Sequence, residues 1–90
     1  MHDWTLVSIG FDWETGKAIL SCRNLDSQLV YIVGENVTNL HVPRVLEWGP
    51  SISINEFNGP VDIAGTKQLK IEMQTGDVIT ISASSFVIPI

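Results

Sequence analysis

The side chains that could do acid–base or metal chemistry in this chain are few and widely spaced. His2 and Asp3 open the sequence, and His41, the other histidine, lies near its middle. Imidazole and carboxylate groups bind zinc or transfer protons where several of them converge. The short ligand spacings of zinc motifs are missing, so we expect no metal site and no cofactor. A small-ligand or catalytic site built from His2, Asp3 and His41 stays open as an alternative hypothesis.

The possible nucleophiles lack the neighbours that would activate them. Cys22 is the only cysteine and lies between Ser21 and Arg23 in a strand-like run. Neighbouring strand residues point to opposite faces, so Arg23 is poorly placed to lower the thiol pKa. A Gly-x-Ser-x-Gly elbow and a phosphate-binding glycine loop are also missing. We therefore expect no catalytic residue, and we expect Cys22 to be a buried apolar side chain without a disulfide partner.

An irregular segment at residues 43–51 is the best candidate for binding a partner. Its two prolines and its glycine exclude a regular central strand, and long ordered loops often carry function. Trp48 has the large apolar area and single donor that are enriched at interface hot spots. It could instead close one end of a small core. The candidate interaction residues are Trp48, Leu46, Arg44, Glu47 and the preceding His41.

Aromatic residues offer a wider candidate surface. Tryptophan and tyrosine combine apolar area with a hydrogen-bonding group, as sugar- and protein-binding surfaces require. Trp13 adjoins a predicted hairpin turn, where we expect it to be partly exposed. The aromatic set is Trp4, Trp13, Tyr31 and Trp48.

Composition excludes several classes of partner. Hydrophobic residues make up 44% of the chain and charged residues 17%, and the net charge is −5. The five basic residues form no stripe, so we expect neither nucleic acid nor an anionic membrane as a partner. No basic and apolar leader opens the chain, and no apolar run approaches the roughly 18 residues of a membrane span. We expect a cytoplasmic protein.

Two similar patterns predict the fold. Strand-like runs flank Thr15-Gly16 and again Thr75-Gly76, and glycine suits the left-handed position of a hairpin loop. Ninety residues are enough for one domain, here residues 1–90. With about seven or eight short strands and no helical pattern, the sequence predicts an all-β antiparallel sandwich or flattened barrel.

Several strands carry more detailed predictions. In residues 4–13, Val7, Ile9, Phe11 and Trp13 should share one face. The apolar run at residues 29–33 predicts a central strand covered on both faces. Residues 58–60 should turn the chain into a loop at 61–66 with at most a short edge segment. The apolar tail at 86–90 should dock as an edge strand ended by Pro89, and this edge could pair between two copies.

Four segments together resemble small uncharacterised bacterial β-proteins. They are residues 2–4 (His-Asp-Trp), 40–43, 48–56 (beginning Trp-Gly-Pro-Ser) and 71–79. Some broadly similar domains that open with His-Asp are immunity proteins, which neutralise toxins. The resemblance implies a bacterial, protein-binding module, and an acidic domain suits a basic toxin because complementary charge speeds association. Because no catalytic constellation is present and Trp48 lies in a candidate interaction loop, we expect a non-enzymatic protein-interaction module.

Overall fold

The computed structural model describes residues 3–45 and 53–89. These residues form eight strands and no helix, which confirms the predicted all-β class. The strands are β1 (Thr5–Asp12), β2 (Lys17–Arg23), β3 (Leu29–Glu35), β4 (Asn39–His41), β5 (Ile54–Ile63), β6 (Thr66–Met73), β7 (Val78–Ala83) and β8 (Ser85–Val87).

The strands form two four-stranded antiparallel sheets. The first sheet has the order β1-β2-β3-β8, and the second has the order β4-β7-β6-β5. The chain therefore crosses from the first sheet to the second after β3 and returns after β7. The structure describes no helix that could span a membrane.

Both predicted hairpins are present. In the β1–β2 turn, Gly16 has a φ of +70° and its N–H donates to the Asp12 carbonyl at 2.9 Å. In the β6–β7 turn, Gly76 has a φ of +96° and its N–H donates to the Met73 carbonyl at 2.9 Å. Glycine takes this left-handed backbone without a steric penalty, so each Thr-Gly pair specifies its turn.

The two chain crossings connect the sheets on one side, and a backbone hydrogen bond connects them on the other. On the side of the two crossings, the Ser84 N–H donates to the Glu35 carbonyl and extends the β3–β8 pairing, and the Thr38 N–H donates to the Ser82 carbonyl and extends the β4–β7 pairing, each at 2.9 Å. On the other side the Ile54 N–H donates to the Trp4 carbonyl at 2.8 Å. The sandwich is thus partly closed into a flattened barrel.

Apolar side chains from both sheets fill the space between them. Leu20 and Ile32 from the first sheet meet Leu69, Ile71 and Ile81 from the second, and all five are fully buried. Cys22 is buried in the same cluster, as expected, and Phe86 and Ile88 pack against it. The tail therefore docks as predicted, with β8 ending before Pro89.

Two local predictions were wrong because the strands contain irregularities. The β1–β2 register shifts between Leu6 and Ser8, so Val7 leaves the inward row and Leu6 and Ile9 pack against the core. Residues 58–60 do not turn the chain, since β5 continues to Ile63 across a register shift between Asn58 and Val61. At such a bulge the strand continues, although the alternation of inward and outward side chains is interrupted.

Candidate functional site

The largest departure from the sequence prediction lies on the outer face of the first sheet. We use this name for the side chains of β1, β2, β3 and β8 that point away from the core. One row crosses all four strands, because Gly10 lies opposite Ile19, Ile19 opposite Val33, and Val33 opposite Val87. Tyr31 lies beside this row. The row forms an apolar stripe, and Ile19, Val87 and Tyr31 are 41%, 58% and 49% exposed.

The prediction that β3 is covered on both faces was therefore wrong for the single chain. Val30 and Ile32 point inward and contact the core, as expected. Leu29 and Tyr31 point outward and stay 45% and 49% exposed. Such a near-continuous apolar run is typical of a strand that has a layer on each side. The described part of this chain supplies one of those two layers.

The rim of this face is polar. Asp12 lies opposite Lys17 at one end of the β1–β2 pair, and Arg23 lies at the other end of β2. Glu35 ends β3 on the outward side, next to the buried Gly34. At the strand ends, the two acidic side chains of Asp12 and Glu35 are matched by the two basic side chains of Lys17 and Arg23. An apolar centre with a polar rim is the usual anatomy of a protein–protein interface.

The outer face of the second sheet has a different character. Its rows contain mostly polar side chains, such as His41 opposite Thr80, and Thr80 opposite Lys70. Glu72 on this face accepts a hydrogen bond from the Asn55 amide at 2.6 Å. A polar outer face is what an antiparallel sheet normally presents to water. Val61 and Ile63 at the end of β5 are also exposed, but the row of apolar side chains that runs across neighbouring strands lies on the first sheet.

The candidate loop at residues 43–51 is described only up to Val45. Arg44 is exposed, and the Val45 N–H donates to a carboxylate oxygen of the buried Asp77 at 3.4 Å. Beyond the gap, the Gln74 N–H donates to the Ser53 carbonyl at 2.9 Å. Both ends of the segment are thus anchored at the β6–β7 turn. Leu46, Glu47 and Trp48 lie outside the described residues.

The polar candidates are separated in the fold. Asp3 is exposed and its N–H donates to the Ile54 carbonyl at 3.0 Å, which places it beside the start of β5. His41 is exposed on β4, the opposite edge of the second sheet. Three strand spacings of about 4.8 Å separate these edges by roughly 14 Å. The structure does not bring Asp3 and His41 together, and His2 lies outside the described residues.

Within the described ranges, no three His, Cys, Asp or Glu side chains are close enough together to hold a metal ion. Burial raises the pKa of the Cys22 thiol from 9.0 to about 11. A thiol of that kind remains protonated near neutral pH and is a poor nucleophile. Cys22 is therefore a core side chain in this fold.

Two aromatic candidates occupy different environments. Trp13 in the β1–β2 turn is 89% exposed and meets Phe11 edge to face, with ring centroids 6.0 Å apart. Trp4 packs against the core and meets Phe57 in the same geometry, with centroids 6.2 Å apart. Trp4 is thus part of the structure, while Trp13 lies at the surface. Ile19, Val33 and Val87 are not among the predicted interaction residues, although the apolar run in β3 indicates the face on which they lie.

Comparisons with known proteins support the fold. No protein-family model matches the chain, and no curated protein shows detectable similarity to it. A crystal structure of an uncharacterised protein from Neisseria gonorrhoeae is similar to it, with a TM-score of 0.68 and 19% sequence identity. The match covers 100% of this chain and 94% of that protein. At this identity the likeness shows a shared β architecture.

Proposed function

We propose that this protein is a non-enzymatic protein-interaction module that docks its partner on the outer face of the first sheet. The observation that supports the proposal is the apolar row from Ile19 to Val87, together with Tyr31 and Leu29 beside it. Leaving these side chains in water costs free energy, at about 25 cal/mol per Å² of apolar surface. A partner that covers the face removes that cost.

The charge on the rim bears on what kind of partner fits. The toxin-neutralising function implied by the resemblance would favour an acidic docking surface for a basic toxin. Here Asp12 and Glu35 are balanced by Lys17 and Arg23. We therefore propose a partner that recognises the face through its apolar centre. If the protein is an immunity protein, its toxin would bind in the same way.

The remaining elements of the proposal follow from the sequence and the site. We propose a bacterial protein of the cytoplasm, since its core is closed around a free thiol at Cys22. We do not propose the alternative ligand site of His2, Asp3 and His41, because Asp3 and His41 lie at opposite edges of the second sheet. Trp48 and its neighbours remain candidates for a second contact region.

Site-specific photo-crosslinking in the host cells tests the proposal. A photoreactive amino acid replaces Tyr31 in one variant and Thr80, on the outer face of the second sheet, in a matched control. We expect a discrete crosslinked protein adduct from position 31 and none from position 80. Equal crosslinking from both positions, or no adduct from position 31, would refute the docking face.

A further inference from the structure

We propose that the outer face of the first sheet is covered by a second copy of this chain, related by a two-fold axis that runs parallel to the strands. This inference rests on the proposed function, because it names the occupant of the same face. Aligned sheets pack face to face about 10 Å apart in β-sandwiches. The dimer would therefore stack four sheets, with the two first sheets packed against each other in the middle.

The distribution of side-chain sizes across the face supports self-packing. The large apolar side chains on the outward side of β3 and β8 are Leu29, Tyr31, Val33 and Val87, next to Glu35 and the small Ser85 at one end. On β1 and β2 the small outward residues include Ser21, which lies opposite Tyr31, and Gly10, which lies in the row of Val87, while Ile19 and Arg23 on β2 are large. A Cβ atom added at Gly10 would meet nothing nearer than the Ile19 carbonyl oxygen at 4.0 Å, so the surface is recessed there.

A two-fold axis parallel to the strands places β3 and β8, which carry the larger apolar side chains, over β2 and β1 of the second copy. Such an axis keeps each row at its height and reverses the strand order, so β1 faces β8 and β2 faces β3 of the second copy. Tyr31 then lies over Ser21 of the second copy, and Val87 lies over Gly10. Ile19 faces Val33. Alternating large and small residues across an interface lets the two layers interdigitate, and each contact occurs twice.

The same operation makes the charged rim complementary. Lys17 on β2 then faces Glu35 on β3 of the second copy, and Glu35 of the first copy faces Lys17 of the second. Both residues point outward at the same end of the sheet, since Ala18 lies opposite Gly34. Within the described residues, neither Lys17 nor Glu35 forms an ion pair, whereas Lys67 and Asp62 form one at 3.0 Å. Complementary rim charges fix the register of an interface.

The area of the face limits the strength of the dimer. Strands about 4.8 Å apart, of which β2 and β3 have seven residues and β8 has three, give a face of at most roughly 19 by 23 Å at about 3.3 Å per residue. Covering it buries less than the roughly 800 Å² per partner of a standard interface. We therefore expect a reversible dimer in the micromolar range, populated according to concentration.

Sedimentation velocity over a concentration series tests the inference through charge reversal. Lys17→Glu places two acidic pairs across the two-fold axis, and Glu35→Lys places two basic pairs there. Each variant alone should dimerise about tenfold more weakly than the wild type. Mixed in equal amounts, the two variants should form a mixed dimer of nearly wild-type strength. In that dimer both contacts between position 17 of one copy and position 35 of the other pair opposite charges. Lys70→Glu, a charge reversal on the second sheet, should leave the dimer unchanged.

The outcomes separate this inference from the proposed function. Far-ultraviolet circular dichroism and a thermal melt confirm that each variant folds. A wild type that stays monomeric at millimolar concentration overturns the second copy as occupant. A dimer whose strength does not change in Lys17→Glu also overturns the inference, because it would indicate pairing through another surface such as the β8 edge. In either case a position-31 adduct with a different protein would still support the docking face.

Discussion

Ile19 and Val33 lie directly opposite each other across β2 and β3, and both side chains point away from the core. On the inward side of the same two strands, Leu20 lies opposite Ile32 and both are fully buried. The two faces of this strand pair are thus similarly apolar, but one is packed and the other is open. This asymmetry carries the functional proposal.

The seam between β1 and β5 is held by the contact of Trp4 with Phe57. We expect Phe57→Ala to lower the free energy of unfolding by about 2 to 3 kcal/mol, because it removes a partly buried ring that packs on the core. The exposed Phe11–Trp13 contact has nearly the same ring geometry and provides the control. Trp13→Ala should cost less than about 0.5 kcal/mol. Urea unfolding measures both, and equal losses would contradict the packing of Phe57 against Trp4 and the core.

Asp77 connects the β6–β7 turn to the start of the candidate loop. Its carboxylate accepts from the Thr75 hydroxyl at 2.9 Å and from the Val45 N–H at 3.4 Å. We expect Asp77→Ala to lower the free energy of unfolding by about 1 to 2 kcal/mol and to speed hydrogen exchange of the Val45 amide. Thr75→Val is the control, since it removes the turn contact and keeps the Val45 acceptor. Unchanged exchange at Val45 in Asp77→Ala would show that the carboxylate does not anchor the loop.

Two glycines with positive φ should respond differently to an added methyl group. At Gly59, with φ +103°, a Cβ atom would lie 2.6 Å from the Gln68 carbonyl oxygen, whereas at Gly65, with φ +83°, nothing lies within 4 Å. Gly65→Ala should cost about 1 kcal/mol for its backbone conformation alone. Gly59→Ala should cost about 3 kcal/mol or more, because the β5–β6 pair must also move apart. Similar melting temperatures for the two variants would contradict the close approach at Gly59.

Burial of Cys22 predicts a dependence of stability on alkaline pH. The folded thiol has a pKa of about 11, raised from 9.0 by burial. The folded state thus holds its proton more tightly than the unfolded state, so the stabilisation is complete below pH 9 and is lost between pH 9 and about 11. Relative to Cys22→Ala, the wild type should lose about 2 kcal/mol over this window. Parallel stability curves for the two proteins would show that the thiol is not buried.

The sequence predicts the fold class well because local signals agree with one another. The Thr-Gly turns and the alternation of Leu69, Ile71 and Met73 each specify a hairpin without help from distant residues. The bulge at Val7 and the continuation of β5 past Asn58 were missed, since an irregular strand loses the period-two pattern that identifies it. Tertiary pairing with β2 and β6 keeps these strands extended.

The docking face was only partly predictable. The apolar run in β3 correctly indicated that both of its faces carry apolar side chains. Alternation alone could not show that Gly10, Ile19, Val33 and Val87 line up across four strands, because that requires the strand order and register. The separation of Asp3 from His41 likewise depends on which strands become the edges of the second sheet.

Hydroxyl-radical footprinting of Tyr31, in intact cells and in dilute purified protein, tests the docking face most directly. Trp13 is the internal standard, since it is 89% exposed and lies in a turn outside the face. We expect oxidation of Tyr31, relative to Trp13, to fall several-fold in cells, where a partner covers the face. Equal relative oxidation of Tyr31 in cells and in the dilute protein would contradict the account.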